Sequence, residues 1–178
     1  MNIHLMPWKA AMRQELEDLY AQADQSLCLV RLPVPLQEQQ TDAYLEGVRT
    51  GRMDGNPFHC YAVMLEDELI GKIELTVQED RFGELDVLLK KDMCGRGYGK
   101  QAVNAMIGLA AKKQWCRGIC AYTVRENRAM QDVLQAAGFQ AGRSFAADVL
   151  VPDRASYYLR QFEGIEYVRM ITWKDREL

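Results

Sequence analysis

Cys94-Gly95-Arg96-Gly97-Tyr98-Gly99-Lys100 is the stretch on which the fold turns. Gly95, Gly97 and Gly99 let the backbone come close to a ligand and aim several N–H groups at one point. An apolar run with helical spacing follows, so these amides sit at a helix N-terminus, where the dipole also favours an anion. Arg96 and Lys100 add positive charge, and the loop reads as a phosphate or pyrophosphate cradle. The Walker A pattern fails twice, because the place of its first glycine holds Cys94 and that of its Ser or Thr holds Gln101. Gly97-Tyr98-Gly99-Lys100-Gln101-Ala102 fits the Ala form of the dinucleotide fingerprint. That fingerprint follows directly on a buried strand, whereas here Lys90-Lys91-Asp92-Met93 intervene.

Working outward, Val103, Met106, Ile107 and Ala110 share one side of a helix of about four turns after the loop. Gly118 to Val124 is the next strand, and a strand, helix, strand succession of this length implies a parallel crossover. Asn127 caps a shorter helix carrying Met130, Val133, Leu134 and Ala137 inward, and Gly138 supplies its left-handed C′ residue. Upstream, Cys60–Leu65 and Leu69–Val77 are apolar runs separated by Glu66-Asp67-Glu68, an antiparallel hairpin, and Glu84–Leu89 continues the meander. Two helices precede it, one with Met12, Leu16, Leu19, Tyr20 and Ala23 on a face, the other with Tyr44, Leu45 and Val48, ending near Gly51; Pro33-Val34-Pro35 turns between them. The last strands are expected near Gln140–Phe145 and Ile165–Trp173. The expectation is one α+β domain over residues 1–178: a mixed, mostly antiparallel twisted sheet with helices on both faces.

This order of elements resembles the GNAT superfamily of acyl-CoA-dependent N-acyltransferases, in particular the type that acetylates ribosomal-protein N-termini. The family motif is Q/R-x-x-G-x-G/A at the start of a helix following the fourth strand of a mixed sheet, and Gly97 and Gly99 match its glycines. Downstream, Glu126-Asn127-Arg128-Ala129-Met130 through Leu134-Gln135-Ala136-Ala137-Gly138-Phe139 resembles the family's Asn-to-Gly-Phe segment. The resemblance implies acetyl-CoA as cosubstrate, its pyrophosphate on the backbone of Gly95, Arg96, Gly97, Tyr98, Gly99 and Lys100. It places the pantetheine arm along Val87, Leu88 and Leu89, in a gap where the fourth and fifth strands splay, with Asn127 bonding the cosubstrate nearby. A homodimer is the assembly that the family suggests.

Two positions depart from the family. Cys94 stands at the Gln or Arg position, and Leu134 stands seven residues after Asn127, where many members have a tyrosine that protonates the leaving thiolate. Leucine cannot donate a proton, so Tyr122, Tyr157, Tyr158 or water must, or the thiolate leaves as such. Leu134 also motivates a second reading, a GNAT-fold protein that binds acyl-CoA without efficient turnover. A dinucleotide oxidoreductase survives only on the Ala-form glycine pattern.

Acyl transfer to an amine needs the neutral amine, since only that form has a lone pair to attack the thioester. Glu84 matches a glutamate that serves as base in the resembling type, with Asp86 on the same strand face and Glu74 on the neighbouring strand. A backbone N–H near Leu89 would hold the oxyanion. Other chemistry finds little support: His4 and His59 are the only histidines, and Cys94, Cys116 and Cys120 lack paired zinc-ligand spacing. No metal is therefore expected.

Composition fits this reading. The chain has 178 residues, 48% hydrophobic and 26% charged, with 22 Lys and Arg against 25 Asp and Glu, an ordinary globular balance that argues against a nucleic-acid binder. Five scattered cysteines suit reduced thiols, and no apolar run approaches a membrane span or signal peptide, so a cytoplasmic protein with no membrane partner is expected. The charge is unevenly spread. From Arg81 to Arg128 ten basic residues face four acidic ones, whereas before Phe58 the acidic residues prevail. An anionic CoA and a cationic amine would each prefer that division.

Overall fold

A computed structural model describes residues 2–23, 38–153 and 156–178. The expected turn at Pro33-Val34-Pro35 lies outside them. Seven strands form a continuous mixed sheet in the order β1-β3-β4-β5-β6-β8-β7. They are β1 (Ile3–Pro7), β3 (Asn56–Leu65), β4 (Glu68–Val77), β5 (Phe82–Leu89), β6 (Gly118–Val124), β7 (Gln140–Asp153) and β8 (Ser156–Met170), with a two-residue β2 (Arg52–Met53) paired to β3. All neighbours are antiparallel except β5 and β6, as a right-handed crossover helix requires. Three of the strands differ from the sequence-based expectation. β1 pairs with the far end of β3, from Ile3 opposite Leu65 to Pro7 opposite Tyr61. β7 and β8 form one long hairpin well beyond Phe145, and β8 ends at Met170, so Trp173 opens a 3-10 turn (Trp173–Glu177) instead of closing a strand.

The helices lie on both faces. α3 (Tyr98–Lys113) and α4 (Arg128–Ala136) pack Val103, Met106, Ile107, Ala110 and Leu134 against Ile73, Leu75 and Leu85. α1 (Arg13–Gln22) and α2 (Glu38–Thr50) pack Leu16, Leu19, Tyr20, Tyr44 and Leu45 against Phe58, Cys60, Ala62 and Met64. β4 is therefore covered on both sides, and its alternation sends Ile73, Leu75 and Val77 to the first core and Lys72, Glu74 and Thr76 to the second. Among the described residues, no helix is long and apolar enough to cross a membrane.

α4 shows how local sequence ends an element. The Asn127 side chain accepts the Met130 N–H at 3.1 Å, and Gly138, at φ +85°, takes the left-handed conformation after the last turn. Asn127→Ala is expected to lower unfolding stability by about 1 kcal/mol, the usual worth of an N-cap, in urea titration.

Candidate active site

The loop after β5 is shaped by two glycines in positive φ, Gly95 at +73° and Gly97 at +83°. Gly97 is the N-cap of α3, so the N–H groups of the first helical turn have no intrahelical acceptor and point off the helix end. A Cβ added at Gly95 or Gly97 would meet nothing within 4 Å. The space over the loop is thus open, and only backbone conformation demands glycine there. Gly97→Ala is expected to cost about 1–2 kcal/mol in the bound loop geometry, read as a roughly tenfold weaker acetyl-CoA affinity in titration calorimetry.

Beside this loop lies a groove of about 380 Å³, lined by Val87, Leu88, Leu89, Gly95, Gly97, Gly99 and Asn127, with Cys94, Ala129, Met130, Asp132 and Val133 closing it. Sequence reasoning missed the α4 contribution, although the apolar Met130 and Val133 were assigned inward. Arg96 and Lys100 are exposed beside the groove. The Tyr98 side chain is buried in the α3 core, so this residue offers only its backbone to a ligand.

Backbone register explains the groove. Lys90 N–H donates to the Ile70 carbonyl at 2.9 Å and Gln78 N–H to the Phe82 carbonyl at 2.8 Å, which sets the even-numbered β5 residues in hydrogen-bonded pairs with β4. The polar groups of Leu85, Val87 and Leu89 therefore point away from β4, toward the β6 side. Among the described residues, the β5–β6 ladder runs only from Phe82 opposite Gly118 to Glu84 opposite Cys120. Beyond Glu84 the strands part, and alternate amides of β5 face the opening. Leu88 differs from its neighbours here, since its backbone is engaged by Lys72.

Glu84 stands at this fork and lines a second cavity, of about 510 Å³, on the α1/α2 face. Its other walls include Tyr20, Gln40, Tyr44, Phe58, Glu74 and Thr76, with Asp54 exposed at its mouth. Three carboxylates and no basic side chain line it among the described residues. Glu74 belongs to a buried cluster: Lys72 Nζ donates to Glu74 Oε2 at 2.6 Å, as does the Tyr44 hydroxyl at 2.6 Å, and Cys60 Sγ lies 3.2 Å from that hydroxyl. Burial alone would lower the Lys72 pKa, but Glu74, with Tyr20 and Asp86, outweighs it and holds the ammonium well above its ordinary value. Asp86 is opposite Glu74 across the strands, as alternation predicts.

Tyr122 projects from β6 on the same sheet face as Glu84 and donates to Glu166 Oε1 at 3.3 Å. Burial first, and the neighbouring Cys120 thiol next, raise the Tyr122 phenol above its ordinary value, so it holds its proton at neutral pH. Tyr157 and Tyr158 fall on β8 near its hairpin turn, and their side chains lie outside the described residues. Leu134 is fully buried on α4 and carries core packing alone. His59 stacks on Trp115 with centroids 3.7 Å apart, while Cys116 and Cys120 are buried.

The sequence profile of acetyltransferase (GNAT) domains matches residues 3–140. The chain belongs to the GNAT acetyltransferase family. No curated protein sequence matches it. Solved structures of the GNAT fold do, at low identity. RimL, the ribosomal L7/L12 alpha-N-protein acetyltransferase in complex with coenzyme A, superposes with a TM-score of 0.76 at 15% identity, covering 97% of this chain and 96% of that one. Spermidine N-acetyltransferase from Vibrio cholerae in complex with CoA and spermine gives 0.73 at 14% identity, covering 96% of each chain. The Microcin C7 self-immunity acetyltransferase MccE in complex with acetyl-CoA and AMP gives 0.71 at 11%, covering 96% of this chain and 93% of that one. Leaving aside the two-residue β2, β5 is the fourth strand of the GNAT sheet in this chain, and the glycine loop follows it as the family motif requires.

Proposed function

We propose that this GNAT protein transfers the acetyl group of acetyl-CoA to a primary amine, a small-molecule amine or a peptide N-terminus, by direct attack in a ternary complex. The fork at Glu84 carries the reading. On one side lies a groove with an amide-rich helix N-terminus for the pyrophosphate; on the other lies a pocket walled by carboxylates, suited to an ammonium.

Placement supports the roles assigned here. Gly95 to Lys100 hold the pyrophosphate through backbone N–H groups, with Arg96 and Lys100 adding charge. Val87 and Leu89 offer the pantetheine amides their outward-facing backbone groups, with Leu88 completing the wall and Asn127 at the gap's far side. Glu84 takes the proton of the acceptor ammonium, directly or through water. The freed amine attacks, the C–N bond forms as the C–S bond breaks, and the Leu89 N–H steadies the charge on the carbonyl oxygen. Tyr122 gives its proton to the departing thiolate and regains one from water, while the acetylated nitrogen sheds its second proton to water. The alternative, acyl-CoA binding without efficient turnover, rests on Leu134 at the family's usual tyrosine position. The protein is assigned to the cytoplasm, where Cys60, Cys94, Cys116 and Cys120 would persist as the free thiols observed.

Thermal shift and thiol release test this together. Acetyl-CoA and CoA at a hundred times their Kd should stabilise the protein by about 2.7 kcal/mol, with no effect of NAD. Thiol release should then depend on an added amine. A shift without release on any amine would favour the binding-only alternative, and no shift would remove both. Tyr122→Phe should lower kcat roughly 10²-fold at an unchanged acetyl-CoA shift; an unaltered kcat would give the final proton transfer to water.

A further inference from the structure

Two residues that wall the carboxylate-lined pocket each carry a buried side-chain oxygen with no partner among the described residues: Thr76 Oγ1 and Gln40 Oε1. Both atoms are buried, and the Thr76 side chain belongs to a residue only 4% exposed. Around them the polar groups are engaged, with Lys72, Tyr44, Cys60 and Glu74 bonded to one another. A buried oxygen without a partner bears its desolvation uncompensated, and folded proteins keep few such atoms. Here the two residues that carry them wall one cavity from different elements, Thr76 from β4 and Gln40 from α2. Thr76 is also the cross-strand partner of Glu84, so the two side chains stand together on one sheet face.

We infer that Thr76 and Gln40 read the acceptor, and that the pocket selects a primary amine carrying a second, uncharged hydrogen-bond donor a few bonds away, as the backbone amide of a peptide N-terminus supplies. The inference rests on the acetyl-transfer reading above and adds the acceptor class to it. With Glu84 holding the abstracted proton, Thr76 Oγ accepts an N–H of the neutral amine and fixes its lone pair. Gln40 Oε1 accepts from the second donor. A rotation about a side-chain torsion brings either oxygen onto the acceptor, since both residues form the cavity wall. The second group is uncharged because nothing inside the pocket is left to meet a cation. Glu74 is engaged by Lys72 and Tyr44, Glu84 serves the reacting amine, and Asp54 is exposed to water at the mouth. An ammonium stripped of water against a neutral carboxamide is disfavoured, whereas an amide N–H exchanges one neutral hydrogen bond for another.

The test is kcat/KM on three matched acceptors, a dipeptide amide, a diamine and an alkyl monoamine, for wild type, Thr76→Val, Thr76→Ser and Gln40→Met. Wild type should prefer the dipeptide amide by about 10² or more, since a site built to bond a polar group rejects analogues lacking it. Gln40→Met should erase most of that preference by slowing the peptide while leaving the monoamine unchanged. Thr76→Val should slow all three acceptors at least tenfold and Thr76→Ser much less, with acetyl-CoA affinity intact in each. Thr76→Val should also keep or raise the Tm, because it replaces an unpaired buried hydroxyl with a methyl of similar size. A wild-type preference for the diamine, an equal effect of Gln40→Met on all acceptors, or a lowered Tm in Thr76→Val would overturn the inference while leaving acetyl transfer standing. Acetyl-CoA binding with no transfer to any of the three would instead bring down the transferase reading, and this inference with it.

Discussion

Glu84→Gln is expected to lower kcat/KM for amine acetylation by about 10³ at neutral pH, within the range of a lost general base, while acetyl-CoA affinity stays at the wild-type value. Glu84 closes the β5–β6 ladder opposite Cys120 and lines the carboxylate-walled cavity, so on the proposed reading its carboxylate is the polar group that both substrates approach. Glutamine keeps the size and the hydrogen bonding but cannot take a proton. The substitution does not touch the glycine loop or the outward-facing amides of Val87 and Leu89, which is why the cosubstrate should bind as before. The pH dependence has a definite sign. Below the acceptor's own pKa the amine arrives as ammonium and the base is required; above it the free amine is already present, so the deficit of the variant should shrink as pH rises. Equal kcat/KM for the two proteins at neutral pH would remove Glu84 from this role.

Lys72→Met should destabilise the fold by about 3–5 kcal/mol, the usual effect of leaving one charge of a buried pair unmatched. Lys72 and Glu74 are each 2% exposed, and the Lys72 ammonium also lies 5.5 Å from the Tyr20 ring centroid and 5.0 Å from that of Tyr44. Removing the cation leaves the Glu74 carboxylate with the Tyr44 hydroxyl in a site that water scarcely reaches. Replacing both together, Lys72→Met with Glu74→Leu, should recover much of the loss, because apolar side chains of similar volume need no desolvation. Urea titration of the two variants measures the difference; a single variant no less stable than the double one would show that the pair is not coupled. The ammonium is held above its ordinary pKa in the folded state. Its stabilisation is therefore complete below the unfolded lysine value near 10.4 and lost only as pH rises through the folded value. Across the neutral range Lys72 should add no slope to the stability profile.

What could be read from the chain beforehand divides by sequence distance. The glycine loop, the Asn127 cap and the Gly138 terminus are local devices, written in residues that few other conformations need, and their φ values follow directly. The meander from β3 to β5 was legible because its turns are short and its runs apolar. β1 was not, since five residues including Pro7 carry little pattern and gain their strand only by pairing some sixty positions away with β3. The hairpin of β7 and β8 runs past Phe145 through the pairing of its two strands with each other, and Ala147 and Phe162 are buried beside Val124 only once that distant pairing brings them together. The acceptor pocket was the least legible part. Lys72, Glu74 and Thr76 alternate with apolar neighbours as on a solvent-facing strand, and only the arrival of α1 and α2 turns that face inward. Gln40, on α2, lines the same cavity as Thr76 across a separation that no spacing rule addresses.

The central claim is that the cosubstrate and the amine occupy the two sides of the Glu84 fork at the same time. Initial velocities of thiol release, measured while acetyl-CoA and the dipeptide amide are varied against each other, test it directly. Intersecting lines in double-reciprocal form are the expected result of the proposed direct attack within a ternary complex, in which no acetyl group rests on the protein. Parallel lines, the signature of an acetylated enzyme intermediate released from CoA before the amine binds, would contradict it.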